Sequence, residues 1–353
     1  MRTKLQNRKR TWLFLLILLF VVVGVPAYYQ LLYQPKKVDS GLVQLKRVFK
    51  EHNDIVTAVR FSPNDSLVVT GSVDSTVKVW RRETGQVIRT IRQPQGISYL
   101  DLSSDGNYIA TGSYDEIVRI WRTGDGTLMK ELKGHKGTVW TVAFSPDGKW
   151  LASSGDDKNI KLWNTATGEL VHTLRGHTLN VWALKFSPKG NKLASCSFDC
   201  TYKIWDRATG ELLVNNTAHT QTVVDIAFSN NGKMLASTSD DCTIKLWNMD
   251  DGALLRTMEV PEHVQAVAFS PDDKLLMTGG RDKTLIGEFV QNIFGDSHFN
   301  KGISARLWDV KTGTLLQTFN KHTNDVMDIA YSYNGKWIAT ASADKTVQLW
   351  EFK

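Results

Sequence analysis

The stretch Gly176–Leu213, GHTLNVWALKFSPKGNKLASCSFDCTYKIWDRATGELL, contains three short runs in which apolar and polar residues alternate. The runs are VWALKF at 181–186, KLASCS at 192–197 and YKIWD at 202–206. Alternation with a period of two is typical of β-strands that bury one face. Turn-forming residues, SPKG at 187–190 and ATG at 208–210, follow the first and last runs. The stretch therefore predicts a small antiparallel sheet.

The same pattern occurs seven times, and in each copy a tryptophan closes an apolar run. These tryptophans are Trp80, Trp121, Trp163, Trp205, Trp247, Trp308 and Trp350. They are 41 or 42 residues apart except for one gap of 61, so the period is 42 with one interruption. Four strands in about 40–45 residues, with Gly-His near the start and Trp-Asp near the end, are the sequence form of a propeller blade. From Leu42 to the C-terminus the chain thus resembles the WD-repeat β-propeller family, which implies an all-β, seven-bladed β-propeller of four-stranded antiparallel blades.

The last repeat lacks a fourth strand, because the sequence stops at Lys353 just after the third. The segment Leu42–Phe49 (LVQLKRVF) has the pattern of the outermost strand in the other repeats. We therefore expect this N-terminal strand to complete the last blade and close the ring, which would pair edges that an open sheet exposes. Members of the family close their rings in this offset way.

The N-terminus predicts a membrane anchor. Residues 1–11 form a basic tail, and 12–33 are almost entirely apolar, long enough as a helix to cross the roughly 30 Å hydrocarbon core of a bilayer. Aromatic residues lie at both ends of this run, as at membrane interfaces. The alternative is a signal peptide cleaved after Ala27, which would leave a secreted protein. Residues 34–41 are a short polar linker, and the propeller occupies 42–353.

The excess of positive charge lies in the region before the propeller. The formal net charge is +7, and seven basic residues precede the first acidic residue, Asp39. Removing these seven from the 43 Lys and Arg leaves 36, equal to the 36 Asp and Glu. A neutral propeller lacks the excess positive charge that binds phosphate backbones, so we expect no nucleic-acid partner. The basic tail favours a cytoplasmic N-terminus and places the propeller on the extracytoplasmic side as a single-pass membrane protein. Three cysteines are too few for a disulfide framework.

A His, a Ser, an Asp and the Trp recur at fixed offsets, which could suggest a hydrolase triad. Four repeats have the complete set: His52, Ser72, Asp74 and Trp80; His177, Ser197, Asp199 and Trp205; His219, Ser239, Asp241 and Trp247; His322, Ser342, Asp344 and Trp350. The second repeat has Gln93 for His, the third has Gly155 for Ser, and the sixth keeps only Asp282 and Trp308. An active site needs only one set of catalytic residues, whereas every blade needs hydrogen-bond partners for its buried polar groups. By resemblance, these side chains form a structural hydrogen-bonded chain within each blade, and we predict no catalytic residue, cofactor or metal site.

The interruption in the sixth repeat is a 20-residue insertion at 285–304, LIGEFVQNIFGDSHFNKGIS, between its second and third strands. Apolar residues recur in it at three- and four-residue spacing, which favours a short amphipathic helix. Its apolar face could pack on the propeller itself or contact a partner. Asp296 and His298 are a weak metal signal without further ligands nearby.

The resemblance implies a protein- or peptide-binding surface on the top face, in loops around the central channel. The residues that it places there are Tyr114, Trp140, Asp156, Trp182, Phe198, Asp240, His263 and Arg281. Large aromatic residues on such a rim are the composition of an interaction hot spot, although each Trp could instead pack against the next blade. The predicted function is a membrane-anchored, non-catalytic scaffold for protein–protein or protein–peptide interaction. The alternative is an enzyme or small-molecule-binding protein that uses the central channel.

Overall fold

The computed structural model describes residues 38–281 and 305–353, and in these residues the chain is a ring of seven four-stranded antiparallel sheets. The basic tail, the predicted span at 12–33, the first half of the linker (34–37) and the insertion at 285–304 lie outside the described residues. The described part contains no helix, and so none that could cross a bilayer.

The blades follow one another around the ring, and in the first six the strands run outward in chain order. Blades one to three comprise β2 (Val56–Phe61), β3 (Leu67–Ser72), β4 (Thr76–Arg81) and β5 (Val87–Arg92); β6 (Ile97–Leu102), β7 (Tyr108–Ser113), β8 (Ile117–Arg122) and β9 (Leu128–Lys133); β10 (Val139–Phe144), β11 (Trp150–Gly155), β12 (Ile160–Asn164) and β13 (Leu170–Leu174). Blades four to six comprise β14 (Val181–Phe186), β15 (Lys192–Ser197), β16 (Thr201–Asp206) and β17 (Leu212–Thr217); β18 (Val223–Phe228), β19 (Met234–Ser239), β20 (Thr243–Asn248) and β21 (Leu254–Glu259); β22 (Val264–Phe269), β23 (Leu275–Gly280), β24 (Ala305–Asp309) and β25 (Leu315–Phe319).

The seventh blade joins the two ends of the described chain. It comprises β26 (Val326–Tyr331), β27 (Trp337–Ser342), β28 (Val347–Phe352) and, outermost, β1 (Val43–Phe49). β1 pairs antiparallel with β28, from Val43 opposite Phe352 to Phe49 opposite Val347. The predicted closure of the ring by the N-terminal strand is therefore confirmed.

The hydrophobic core lies between blades. One cluster joins Val56, Val59 and Trp80 of blade one to Ala339 and Leu349 of blade seven. The closing strand takes part, because the Phe49 ring stacks on the Trp80 ring with centroids 4.9 Å apart. Since each sheet buries a face against its neighbour, no blade has a complete core of its own.

A β-bulge recurs near the start of every inner strand. In β10, Val139 pairs with Gly155 and Thr141 with Ser154, so Trp140 is left without a partner of its own. The same shift leaves Trp182 unpaired between Val181 and Ala183. A bulge re-aims the extra side chain, and here both tryptophans line the mouth of the central channel.

Candidate interaction surface

The repeated histidines form buried hydrogen-bonded chains. In blade four, His177 Nδ1 lies 2.9 Å from an Asp199 carboxylate oxygen and Nε2 lies 2.8 Å from Ser195 Oγ. Trp205 Nε1 donates to the same Ser195 oxygen at 2.8 Å. Because the indole can only donate, the Ser195 hydroxyl proton is free for His177 Nε2, and the Nδ1 proton then points at the carboxylate.

The bridging hydroxyl is two residues earlier than the sequence analysis placed it. The bridging residues are Thr70, Ser195, Ser237 and Thr340, in place of the predicted Ser72, Ser197, Ser239 and Ser342. Residues two apart on a strand share a face, so both hydroxyls point the same way and the recurrence alone did not distinguish them. The predicted serines act at the turn instead: Ser197 Oγ donates to the Leu179 carbonyl and accepts from the Asp199 amide. Ser153 serves as the bridge in blade three, where Gly155 had suggested a defect.

The environment of the hydrogen-bonded chain in blade four favours one protonation state, with His177 neutral and Asp199 charged. Burial lowers the pKa of His177, against the opposing effect of Asp199. Burial alone would raise the pKa of Asp199, but hydrogen bonds from His177 and Thr201 outweigh it and the pKa lies well below the usual range. Ser195 is fully buried, so the hydrogen-bonded side chains of blade four offer no accessible nucleophile.

Two blades lack the histidine, with Gln93 at its position in blade two and Val260 in blade six, and contain other buried polar pairs. In blade two, Thr111 donates to Gln93 Oε1 at 2.9 Å, and the freed Asp115 makes two hydrogen bonds with Arg119. In blade six, the buried Glu262 carboxylate pairs with Arg306 at 2.6 and 2.9 Å. Asp282, which the sequence analysis assigned to this set, lies outside the described residues.

Four of the residues predicted on the top face form one continuous aromatic row across blades two to four, comprising Tyr114, Trp140, Trp182 and Phe198. Tyr114 meets Trp140 edge-on at 6.1 Å between ring centroids, Trp140 stacks on Trp182 at 4.7 Å, and Trp182 stacks on Phe198 at 5.0 Å. The tryptophans therefore do pack against neighbouring blades, as the alternative held. The ends of the row stay open, since Tyr114 and Phe198 are 39% and 36% exposed.

Asp156 fixes the middle of the aromatic row. Its carboxylate accepts from Trp140 Nε1 at 2.6 Å, from the Asn180 amide at 2.8 Å and from the Thr138 backbone amide at 2.9 Å. The bond from Asn180 joins blade three to the loop before blade four, and the bond from Trp140 holds the indole ring in one orientation.

The remaining predicted residues lie on blades five and six, away from the aromatic row. Asp240 and His263 Nδ1 are 3.0 Å apart, and the Arg281 backbone amide donates to the His263 carbonyl at 3.0 Å. His263 Nε2 is buried without a hydrogen-bond partner among the described residues. The predicted surface is thus two clusters, an aromatic one and a polar one.

A polar network that the sequence analysis missed lies in the central channel. Arg60 donates to Asp101 at 2.9 Å, to Asp328 at 2.6 Å and to the Tyr99 hydroxyl at 2.7 Å. Lys185 donates to the same Tyr99 oxygen at 3.1 Å. These residues occupy the third and fifth positions of the inner strands, where alanine stands in three and in four of the seven repeats, and that contrast was the available signal.

The channel mouth is a cavity of about 260 Å³ whose lining combines Tyr114, Trp140 and Trp182 of the aromatic row with carboxylates. Asp225 and Asp328 lie on its wall with Tyr99, Trp140 and Trp182. Asp225 accepts from the Val267 amide at 2.9 Å and has no ion-pair partner within the described part of the chain. Burial raises the pKa of Asp225 to about 6, although the charge of Lys185 opposes the shift. No group of three or more potential metal ligands occurs in residues 38–281 or 305–353.

Comparison with known families agrees with this geometry. The family model described as WD domain, G-beta repeat matches residues 43–81, 85–122, 126–164, 168–206, 210–248, 252–286 and 313–351. The chain belongs to the WD40-repeat family. Each matched repeat begins with the outer strand of one blade and continues into the inner strands of the next, as β1 does with β2 to β4.

Similar proteins cover only parts of the chain. A 51-residue segment is 45% identical to the target of rapamycin complex subunit wat1 of Schizosaccharomyces pombe, covering 14% of this chain and 16% of that protein. A 90-residue segment is 33% identical to periodic tryptophan protein 2 of Arabidopsis thaliana, covering 26% of this chain and 8% of that protein. An 87-residue segment is 33% identical to protein HIRA of Xenopus laevis, covering 25% of this chain and 8% of that protein. The matches thus span a small fraction of each relative's length.

Proposed function

We propose that this chain is a non-catalytic scaffold that binds a protein or peptide partner on its top face, anchored in a membrane through residues 12–33. The observation that carries the proposal is the aromatic row from Tyr114 to Phe198 at the channel mouth. Aromatic rings held rigidly in place lose little conformational entropy on binding, and they dominate the energetics of many interfaces. One relative is by its name a subunit of a complex, which agrees with a role in assembly.

The fold supports such a role, because its recurrent polar groups are committed to structure. The His–Asp pairs are buried, and their hydroxyl partners are inside the blades. A surface that keeps its shape when a partner binds avoids part of the ordering cost of association. No nucleic-acid partner is proposed, since residues 38–353 contain 36 basic and 36 acidic side chains and so have no net positive charge.

Co-purification from detergent-solubilised membranes tests the binding surface. Phe198→Ala and Tyr114→Ala shorten the aromatic row at its exposed ends. Leu213→Ala is the control, an apolar residue on the circumference that is more exposed than either, at 48%. We expect a protein that co-purifies with the native chain and with Leu213→Ala but is reduced at least about tenfold with the double variant, corresponding to about 1.4 kcal/mol. Equal recovery with all three chains would contradict a binding role for this row.

For the location, we propose a cytoplasmic N-terminus and an extracytoplasmic propeller, on the strength of the basic tail alone. Protease added to intact cells or spheroplasts should digest the propeller and spare cytoplasmic proteins. Protection until the membrane is lysed would reverse the topology. A protein that starts at Tyr28 would instead support cleavage after Ala27 and secretion.

A second candidate is a small-molecule binder that uses the channel, favoured by the buried Asp225 carboxylate in the mouth cavity. A buried carboxylate that forms no direct ion pair within the described residues suits a cationic ligand, although the charge of Lys185 lies near enough to act on it. Native mass spectrometry of the chain extracted from its own membranes distinguishes the two candidates. A bound small molecule lost in Asp225→Asn favours the channel, and a bound protein favours the scaffold.

A further inference from the structure

The described chain begins on the circumference of the ring, beside blade six. The Val38 carbonyl accepts from the Thr318 amide at 2.8 Å, and Asp39 forms a β-bridge with Gln317. Both partners belong to β25, the outer strand of blade six. The Gln317 side chain then holds both the amide and the carbonyl of Val43 at the start of β1. The polypeptide therefore enters along the side of the propeller between blades six and seven, not through the top or bottom face.

The short linker limits how far this side can be from the membrane. This step rests on the proposed function, in which the span ends at Tyr33. Five residue steps separate Tyr33 from Val38, and an extended chain covers about 3.4 Å per step, or roughly 17 Å in all. The outer strand of blade six must consequently lie within that distance of the bilayer interface.

The same side of the ring exposes leucines because of a second recurrent bulge. In blade five, Trp247 pairs with Leu254 and Leu246 with Arg256, so Leu255 is an extra residue in the outer strand. Leu254 and Leu255 are each 49% exposed, more than any other apolar pair at this position. Leu315 and Leu316 occupy the same place in blade six and are partly exposed, and Leu42 beside them is 41% exposed.

Basic groups accompany these leucines. The cleft between blades five and six is lined by Leu255 together with Arg256, Lys274 and Lys311. Asp273 and Asp309 also line it, accepting from the Asn230 and Asn231 amides and from the Thr312 amide, and Lys274 pairs with Asp272 at 3.2 Å. Arg256 and Lys311 form no ion pair within the described residues. Apolar side chains beside cations are the composition that a lipid interface accommodates, with the leucines among the acyl chains and the cations near the phosphates.

We propose that the outer strands of blades five, six and seven form a membrane-contacting surface, with Leu42, Leu254, Leu255, Leu315 and Leu316 resting in the bilayer interface. The propeller then stands edge-on, with its central channel roughly parallel to the membrane plane. Neighbouring blades are in contact in chain order around the ring, so blades two and three lie opposite blade six. The aromatic row on blades two to four is therefore presented away from the bilayer, where a partner can reach it.

The sevenfold repeat supplies matched controls for the test. Met129 and Val171 are the extra bulge residues of blades two and three, equivalent to Leu255 and Leu316, and are 39% and 42% exposed. Single cysteines are introduced as Leu255→Cys, Leu316→Cys, Met129→Cys and Val171→Cys in the full chain, with Cys200 and Cys242 replaced by serine. Each is labelled with a nitroxide after reconstitution in phosphatidylcholine–phosphatidylglycerol vesicles, and collision rates with oxygen and with a water-soluble nickel chelate are measured by electron paramagnetic resonance.

We expect the labels at 255 and 316 to favour collisions with oxygen, which concentrates in lipid, and those at 129 and 171 to favour the nickel chelate. Equal behaviour at all four positions, in a chain that resists alkaline extraction, would overturn the orientation and leave the anchor intact. Protection of 255 and 316 from both reagents would show a protein or a second copy on this surface and would also overturn the proposal. Release of the chain by alkaline extraction would overturn the anchor, and the orientation with it.

Discussion

A single hydroxyl per blade connects the recurrent His and Trp side chains. Ser195 accepts from Trp205 Nε1 and lies against His177 Nε2, and both contacts are buried. The recurrence of these residues argued against a catalytic triad, and their burial agrees with the predicted structural role of linking the strands of one blade. Their role is structural, since a buried donor or acceptor without a hydrogen-bond partner lowers the stability of the folded protein by about 1–3 kcal/mol.

We predict that Ser195→Ala destabilises the protein by roughly 2–4 kcal/mol, because it removes the partner of two buried groups at once. Ser195→Thr should recover most of this loss, since threonine performs the same bridge at Thr70 and Thr340. Urea unfolding monitored by tryptophan fluorescence measures both changes. If the alanine and threonine variants are equally destabilised, the cost comes from packing and not from the missing hydroxyl.

The pH dependence of stability should carry a contribution from Asp225. Its pKa in the folded protein is about 6, above that of an unfolded Asp at about 3.9, so between these values the native state binds more protons than the unfolded state. The contribution of Asp225 to the free energy of unfolding therefore falls as the pH rises through about 6. We expect the native chain to gain stability relative to Asp225→Asn when the pH is lowered from 7.5 to 5. A constant difference between the two unfolding free energies over this range would contradict the raised pKa.

Among the secondary-structure elements, β1 connects the most distant parts of the sequence. It pairs with β28 along its length, and its terminal Phe49 stacks on Trp80 of blade one. Loss of β1 would leave β28 as an unpaired edge and would also uncover part of the core between blades one and seven.

We predict that a chain starting at Lys50 aggregates or melts well below a control chain starting at Val38, which keeps β1 but lacks the predicted anchor. Static light scattering and differential scanning calorimetry of the two chains make the comparison. A monomeric shorter chain with the melting temperature of the control would mean that ring closure is dispensable.

The strands could be predicted from sequence because the same strand pattern recurs in every repeat. Seven copies of one alternation, with a tryptophan every 42 residues, fix the number of blades and the offset of β1. Individual bulges could not be predicted in this way, because one extra residue in a strand leaves the alternation on either side intact. The exposure of Leu255 and the aim of Trp140 both follow from such bulges.

At the scale of the whole molecule, the position of the aromatic row followed from the family resemblance, while its continuity did not. Stacking of Trp140 on Trp182 and of Trp182 on Phe198 depends on distances across blades that one sequence does not contain. The channel network was missed for a related reason. Arg60, Asp101 and Asp328 are far apart in the chain, and only closure of the ring brings their charges within hydrogen-bonding distance.

The most direct test of the scaffold is photo-crosslinking in living cells at the exposed end of the aromatic row. A photoreactive amino acid replaces Phe198 in the full chain, and the same residue replaces Leu213 as the control, which lies on the circumference and is the more exposed of the two. Adducts are resolved by mass after irradiation and identified by mass spectrometry. We predict a discrete protein adduct from position 198 that is absent from position 213. A folded, membrane-retained chain that yields no adduct at 198, or the same adducts at both positions, would contradict a partner-binding role for the top face.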